Sequence, residues 1–240
     1  MPSVVIGPAL LAPYGQQWLA GGGRLPGKQK VGYASATALG NEIDTVFADA
    51  LATFLGGINV LEASQSRKPG FALHPPEPDC VEYGHVTVAG GARTQRFDVA
   101  YRPDGPRIAF DNKTLNGEGS WGKNWNNMIN DLVAEATTVH HRYPDTVVAF
   151  FILAPTPILR KGSRLEDACK QMTRIGGRVQ PQLENLHLAE AISLALWEPS
   201  TGAISTTEPD PARFPEIRIE RFAETVEIRY RERFKYAPPH

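Results

Sequence analysis

The sequence predicts an α/β protein, and three observations carry that expectation. Residues 37–55 and 124–142 repeat apolar side chains at helical spacing. Between them, residues 81–115 break into short strand-like runs separated by Gly and Pro turn signals, the pattern of an antiparallel meander. After the second helical segment, residues 146–154 (TVVAFFILA) are apolar throughout, as in a strand buried on both faces.

The elements follow in order. The first thirty or so residues are glycine-rich and include Gly21-Gly22-Gly23. Pro8 interrupts the apolar run 4–12, which speaks against a signal peptide, and one short helix is expected at 15–20. The helix over 37–55 has a stripe of Leu39, Ile43, Val46, Phe47, Ala50, Leu51 and Phe54, and Gly56-Gly57 end it. Glu42, Thr45 and Asp49 lie off that stripe. Pro69, Gly70, Pro75, Pro76 and Pro78 make 62–80 a long loop. Strands are expected at 81–88, 93–102 and 107–115, turned by Gly90-Gly91 and by Pro103-Asp104-Gly105-Pro106. A Gly-rich loop at 116–122 leads into the helix over 124–142, whose stripe is Trp125, Met128, Ile129, Leu132, Val133, Ala136 and Val139. Pro144 ends it, and Pro155 and Pro157 stop the buried strand after it. A weaker helix at 164–175, an apolar strand at 191–197 and a charged amphipathic helix at 214–234 complete the chain. The order is α-β-β-β-α-β, then α-β-α.

The chain has 240 residues, which suits one domain over 1–240, and 42% hydrophobic residues supply a real core. A net charge of −1 excludes a globally basic nucleic-acid binder and leaves room only for a local basic patch. Cys80 and Cys169 are far apart and form neither a ligand-spaced motif nor a disulfide framework, so buried reduced thiols are expected. No apolar run is long enough to span a bilayer. The run 4–12 has no basic region before it, so a cytoplasmic protein is expected.

The chemistry concentrates in one hairpin. A turn centred between Asp104 and Gly105 sets Asp98 opposite Asp111 and Arg96 opposite Lys113. Strand alternation then places Phe97, Val99, Tyr101, Ile108 and Phe110 on one face, with Asn112 interposed. The other face holds Arg96, Asp98, Ala100, Ala109, Asp111 and Lys113. Opposed side chains have Cβ atoms roughly 5 Å apart. Two carboxylates at that range repel, and a divalent cation with its preference for oxygen ligands is the natural compensation. A solvated hairpin face is the plainer reading, but it would carry Thr, Lys or Glu where this one has alanines. A slip of one residue would send Asp98 to the face opposite Asp111.

An acid on one strand followed by (Asp/Glu)-x-Lys on the next, here Asp98 and then Asp111-Asn112-Lys113, resembles the PD-(D/E)xK nuclease core. The α-β-β-β-α-β order around it strengthens the likeness, which covers about 37–154 and leaves 155–240 as elaboration. The resemblance implies a restriction-endonuclease-like core, with a central mixed β-sheet flanked by helices. It implies an endonuclease that hydrolyses phosphodiester bonds in DNA with Mg²⁺, for which Mn²⁺ substitutes, and it allows a homodimer. Asp98 looks like the first metal-ligand acid and Asp111 like the second, in the Asp form. A backbone carbonyl near Asn112 would add a ligand. Lys113 looks like the lysine that orients or activates the attacking water. Glu42 resembles the acid that some members place on the first helix.

There are departures. The literal Pro-Asp pair, Pro103-Asp104, sits in the turn and points away, and Phe97 rather than proline precedes Asp98. Asn116, Ser120, Lys123 and Asn124 are candidates for nucleic-acid contact, because they lie where a Gly-rich loop opens a helix. Trp121 and Trp125 accompany them, and packing is the better reading for Trp125. Arg160 and Lys161, with Arg164, form a small basic patch after the buried strand. His140-His141 lie at a helix C-terminus, where cations are favourable, and are not read as metal ligands. The alternative reading is a catalytically silent nucleic-acid-binding or assembly subunit on the same fold. An unrelated metal hydrolase is disfavoured, since no His/Asp cluster has ligand spacing.

Overall fold

Helix α1 spans Pro8–Ala20, longer than the expected 15–20. Pro8 does not interrupt it but occupies its first turn, where a missing N–H costs nothing and a fixed φ is an advantage. Helix α2 (Ala36–Phe54) begins at Ser35, whose hydroxyl accepts the Ala38 N–H. Strand β1 (Asn59–Glu62) was not expected; four residues are too few to establish an alternation. It is followed by β2 (Cys80–Ala89), β3 (Thr94–Tyr101) and β4 (Ile108–Thr114). Helix α3 (Trp121–His140), β5 (Val147–Pro155), α4 (Leu165–Ile175), β6 (Ala191–Trp197) and α5 (Ile219–Phe234) complete the described elements. This computed structural model describes residues 4–27, 34–63, 73–117, 121–159 and 164–235, without the side chains of 122–124.

The six strands form one mixed sheet in the order β1-β2-β3-β4-β5-β6. β2, β3 and β4 are the expected antiparallel meander, whereas β1 pairs parallel to β2, and β4, β5 and β6 run parallel to one another. The protein is therefore α/β, with helices on both faces of the sheet. Every residue of β5 is buried, which explains its unbroken apolar composition.

On one face, α1, α2 and α5 cover Val99, Tyr101, Ile108, Phe110, Phe151 and Leu153. Phe47 of α2 stacks on Phe110 of β4 with ring centroids 3.7 Å apart, and Phe222 of α5 packs on both. Burying a side chain of that size contributes roughly 1.5–3 kcal/mol. On the other face, Trp125, Leu132 and Ala136 of α3 and Met172 of α4 pack against Phe150, Ile152 and Leu194. No helix among the described residues is long and apolar enough to cross a membrane.

Candidate metal and active site

The site lies where β3 and β4 part. Their pairing is Tyr101↔Ile108, Ala100↔Ala109 and Val99↔Phe110, the register that a turn centred between Asp104 and Gly105 dictates. The ladder ends there, so Asp98 and Asp111 are not backbone partners, and neither are Arg96 and Lys113. Instead, a carboxylate oxygen of Asp98 takes the place of a backbone acceptor, receiving the Asn112 N–H at 2.9 Å. Alternation breaks at this residue: Val99 belongs to the core beneath α2, but Phe97 packs in the core beneath α3. The expectation that Phe97 shares a face with Val99 and Tyr101 is thus corrected. An irregularity in β2 faces the same place. Between Tyr83 and Val86 its register shifts, and Gly84 and His85 both have positive φ. His85 stands mostly exposed, its Nδ1 3.8 Å from Asp98. Arg96 points to solvent.

Asp98, at the split, reaches both faces of the sheet. On the α3 side it feels the charge of Asp111, whose carboxylate receives the Lys113 ammonium. Lys113 Nζ lies 3.3 Å from Oε1 of Glu135 on α3, and Oε2 of Glu135 is buried without a hydrogen-bond partner. On the α2 side, the Asn112 amide donates to Asp44, and it lies 3.3 Å from Asp98 and 3.4 Å from the Gly40 carbonyl. Four carboxyl groups and one ammonium thus surround the end of the β3–β4 ladder. The Lys113 side chain is 28% exposed and that of Asp98 16%.

The electrostatics follow from burial. Desolvation raises the Asp111 pKa to about 7; Glu135 adds to the rise, while Asp98 and Lys113 oppose it. Asp98 is pushed well above the ordinary carboxylate range, first by burial and then by the neighbouring charge of Asp111. Asp44 moves the same way, by burial and by the charge of Asp98. Burial disfavours the Lys113 ammonium, but Asp111 and Glu135 outweigh it and raise its pKa.

The structure thus brings Asp98, Asp111, Asn112 and Lys113 together. Glu42 is not part of this group: it is exposed and accepts the Tyr14 hydroxyl at 2.7 Å. The acid that α2 does supply is Asp44, which lies between Gly40 and Ala48 on one i, i+4 row beside the apolar stripe. Sequence reasoning also missed Glu135. It stands inside the α3 stripe, three residues after Leu132 and four before Val139, and an acid at a core position is the signal that identifies it.

Asn116 is not available for nucleic acid. Its amide exchanges two hydrogen bonds with the Leu25 backbone, at 3.0 and 2.9 Å, and so ties the segment after α1 to the end of β4. Lys123 and Asn124 lie in the first turn of α3, but their side chains are outside the described set. Ser120, Arg160 and Lys161 lie outside the described residues. Trp121 and Trp125 are buried and stack on each other at 5.1 Å, so both are packing residues. Asp104 receives two hydrogen bonds from Arg107 in the turn. Both cysteines are buried free thiols. His140 is the last residue of α3, as expected, and is a fully buried partner of Glu190.

Searches against protein-family models, curated proteins and solved structures found no match to this chain. Among the described residues, no group of three or more His, Cys, Asp or Glu side chains is arranged to hold a metal ion. As a pair, Asp98 and Asp111 do fit one. Asp111 is buried and Asp98 half-buried, a divalent cation would relieve their mutual repulsion, and the unpartnered Oε2 of Glu135 lies on the same side.

Proposed function

We propose that this chain is a metal-dependent endonuclease that hydrolyses phosphodiester bonds in DNA, on a restriction-endonuclease-like core. One observation carries the reading: Asp98, Asp111 and Lys113 gather at the split between two antiparallel strands, the charge of Asp111 acting on Asp98 and the Lys113 ammonium bonded to the Asp111 carboxylate. Asp98 and Asp111 would hold Mg²⁺ or Mn²⁺, with main-chain help at Asn112. When bound, the ion supplies Lewis acidity at the scissile phosphate and lowers the pKa of a coordinated water. Asp111 and Glu135 favour the Lys113 ammonium. Lys113 would hydrogen-bond the attacking water and stabilise negative charge on the phosphate. Glu135 positions Lys113, and Asp44 with Asn112 braces Asp98 from the α2 side. A DNA substrate and a homodimer remain parts of this proposal.

A second reading, a silent binding or assembly subunit, draws on the Lys113 bridge between Asp111 and Glu135, which already offsets part of the negative charge. Supercoiled plasmid incubated with Mg²⁺ separates the two. Cleavage that Asp111→Ala and Lys113→Ala both abolish supports the nuclease. Intact plasmid that is retarded on a gel favours the silent subunit, and cleavage undiminished in both variants removes this site from consideration.

A further inference from the structure

Helix α5 places Arg221, Thr225, Arg229 and Arg233 four residues apart, hence on one face. Its Phe222, Val226 and Tyr230 fill the core beneath α2, so the arginine row turns toward α4 and the start of β6. Between these elements is a cavity of about 230 Å³. Met172, Ile192 and Ile217 give it an apolar side, and Arg221, Thr225 and Arg229 a polar one.

Glu190 forms part of the cavity wall, and its charge is already countered. Arg233 Nη1 lies 2.7 Å from it, Arg178 Nη1 3.1 Å and His140 Nε2 3.2 Å, and the Val148 N–H donates at 2.7 Å. All four side chains are at most 4% exposed. Both ring nitrogens of His140 also face carbonyl oxygens, of Leu186 and Thr146. Two guanidinium groups and an imidazole therefore meet one carboxylate. Nη1 of Arg229 pairs with Glu232 at 2.7 Å, but its Nε, which belongs to a residue lining the cavity, is buried with no hydrogen-bond partner, as are Nε and Nη2 of Arg233 and Nε of Arg178 beside Glu190. The other ionisable groups lining the cavity are the exposed Glu216 and Arg221. The unused buried Nε of Arg229 calls for an acceptor, best supplied by an anion, and the apolar side calls for a hydrocarbon body.

We propose that the cavity between α4, β6 and α5 binds a small organic carboxylate, its apolar body against Met172, Ile192 and Ile217 and its charge beside Arg229. A cavity of about 230 Å³ holds several waters and so has room for a ligand the size of benzoate. The site is separate from Asp98 and Asp111 and does not depend on the nuclease reading.

Isothermal titration of the full chain with sodium benzoate tests it, with benzyl alcohol as the neutral analogue and inorganic phosphate as the anion lacking an apolar body. The expected result is saturable benzoate binding that weakens about tenfold or more in Arg229→Met. Thr225→Leu, which narrows the cavity and leaves every arginine in place, should weaken it as well. Circular-dichroism melting establishes that each variant is folded, and Thr225→Leu carries the test if Arg229→Met is not. Absence of saturable benzoate heat, equal affinity for benzyl alcohol, tighter binding of phosphate than of benzoate, or binding undiminished in the folded variants would overturn the proposal.

Discussion

Replacing Asp111 by asparagine should change how stability depends on pH, and the structure sets the size of the change. Burial raises the Asp111 carboxyl from 3.8 to about 7. Between those values the folded, cation-free chain keeps a proton that the unfolded chain has released. A group raised in this way penalises folding increasingly as pH rises, with no penalty below about pH 4 and the full penalty above pH 7. Three pK units at about 1.4 kcal/mol each make that full penalty about 4 kcal/mol, of which nearly 3 falls between pH 5 and pH 8. Asparagine has the same shape, leaves no charge to bury, and offers Lys113 a carbonyl acceptor. Urea unfolding of EDTA-treated protein, followed by circular dichroism at pH 5, 6, 7 and 8, measures the effect. Wild type minus Asp111→Asn should fall by about 3 kcal/mol across that range. Excess Mg²⁺ at pH 8 should restore stability to wild type and not to the variant. A difference that stays level or rises with pH refutes the electrostatic account of this site.

Three other outcomes are expected. Asp44→Ala should depress plasmid cleavage in Mg²⁺ by about tenfold or more, as loss of an outer-shell partner does, while Glu42→Ala leaves it within about twofold. Glu190→Ala leaves Arg178, Arg233 and His140 buried without their shared counter-ion and should cost about 3–5 kcal/mol in urea unfolding. The Cys169 thiol, pushed up to about 12 by burial, and the buried Cys80 thiol should not react with a disulfide reagent at pH 8 until urea unfolds the chain.

The parts of the fold that could be read from the sequence are those in which one local pattern decides. The Phe47 stripe, the all-apolar β5 and the Gly and Pro turns each specify their element without outside help. The β3–β4 register was equally legible, because the Asp104-Gly105 turn fixes it locally. What failed depends on tertiary context. Phe97 changes sides because Asp98 breaks the β3 alternation, and only the neighbouring irregularity at Gly84 and His85 accommodates that break. Asn116 reads as a surface donor until α1 brings Leu25 against it. Glu42 and Asp44 are two residues apart on one helix, about 200° around its axis, so the choice between them rested on which helix face meets β4. Asp44 lies beside the apolar stripe that meets β4. Glu135 stands within the α3 stripe, where its charge disguises a core position.

The most direct test is anomalous diffraction from crystals soaked in Mn²⁺. The account requires a peak within about 2–2.5 Å of carboxylate oxygens of both Asp98 and Asp111, beside the Lys113 ammonium. Well-ordered crystals in which Mn²⁺ occupies other positions, and none lies at these two carboxylates, would contradict it.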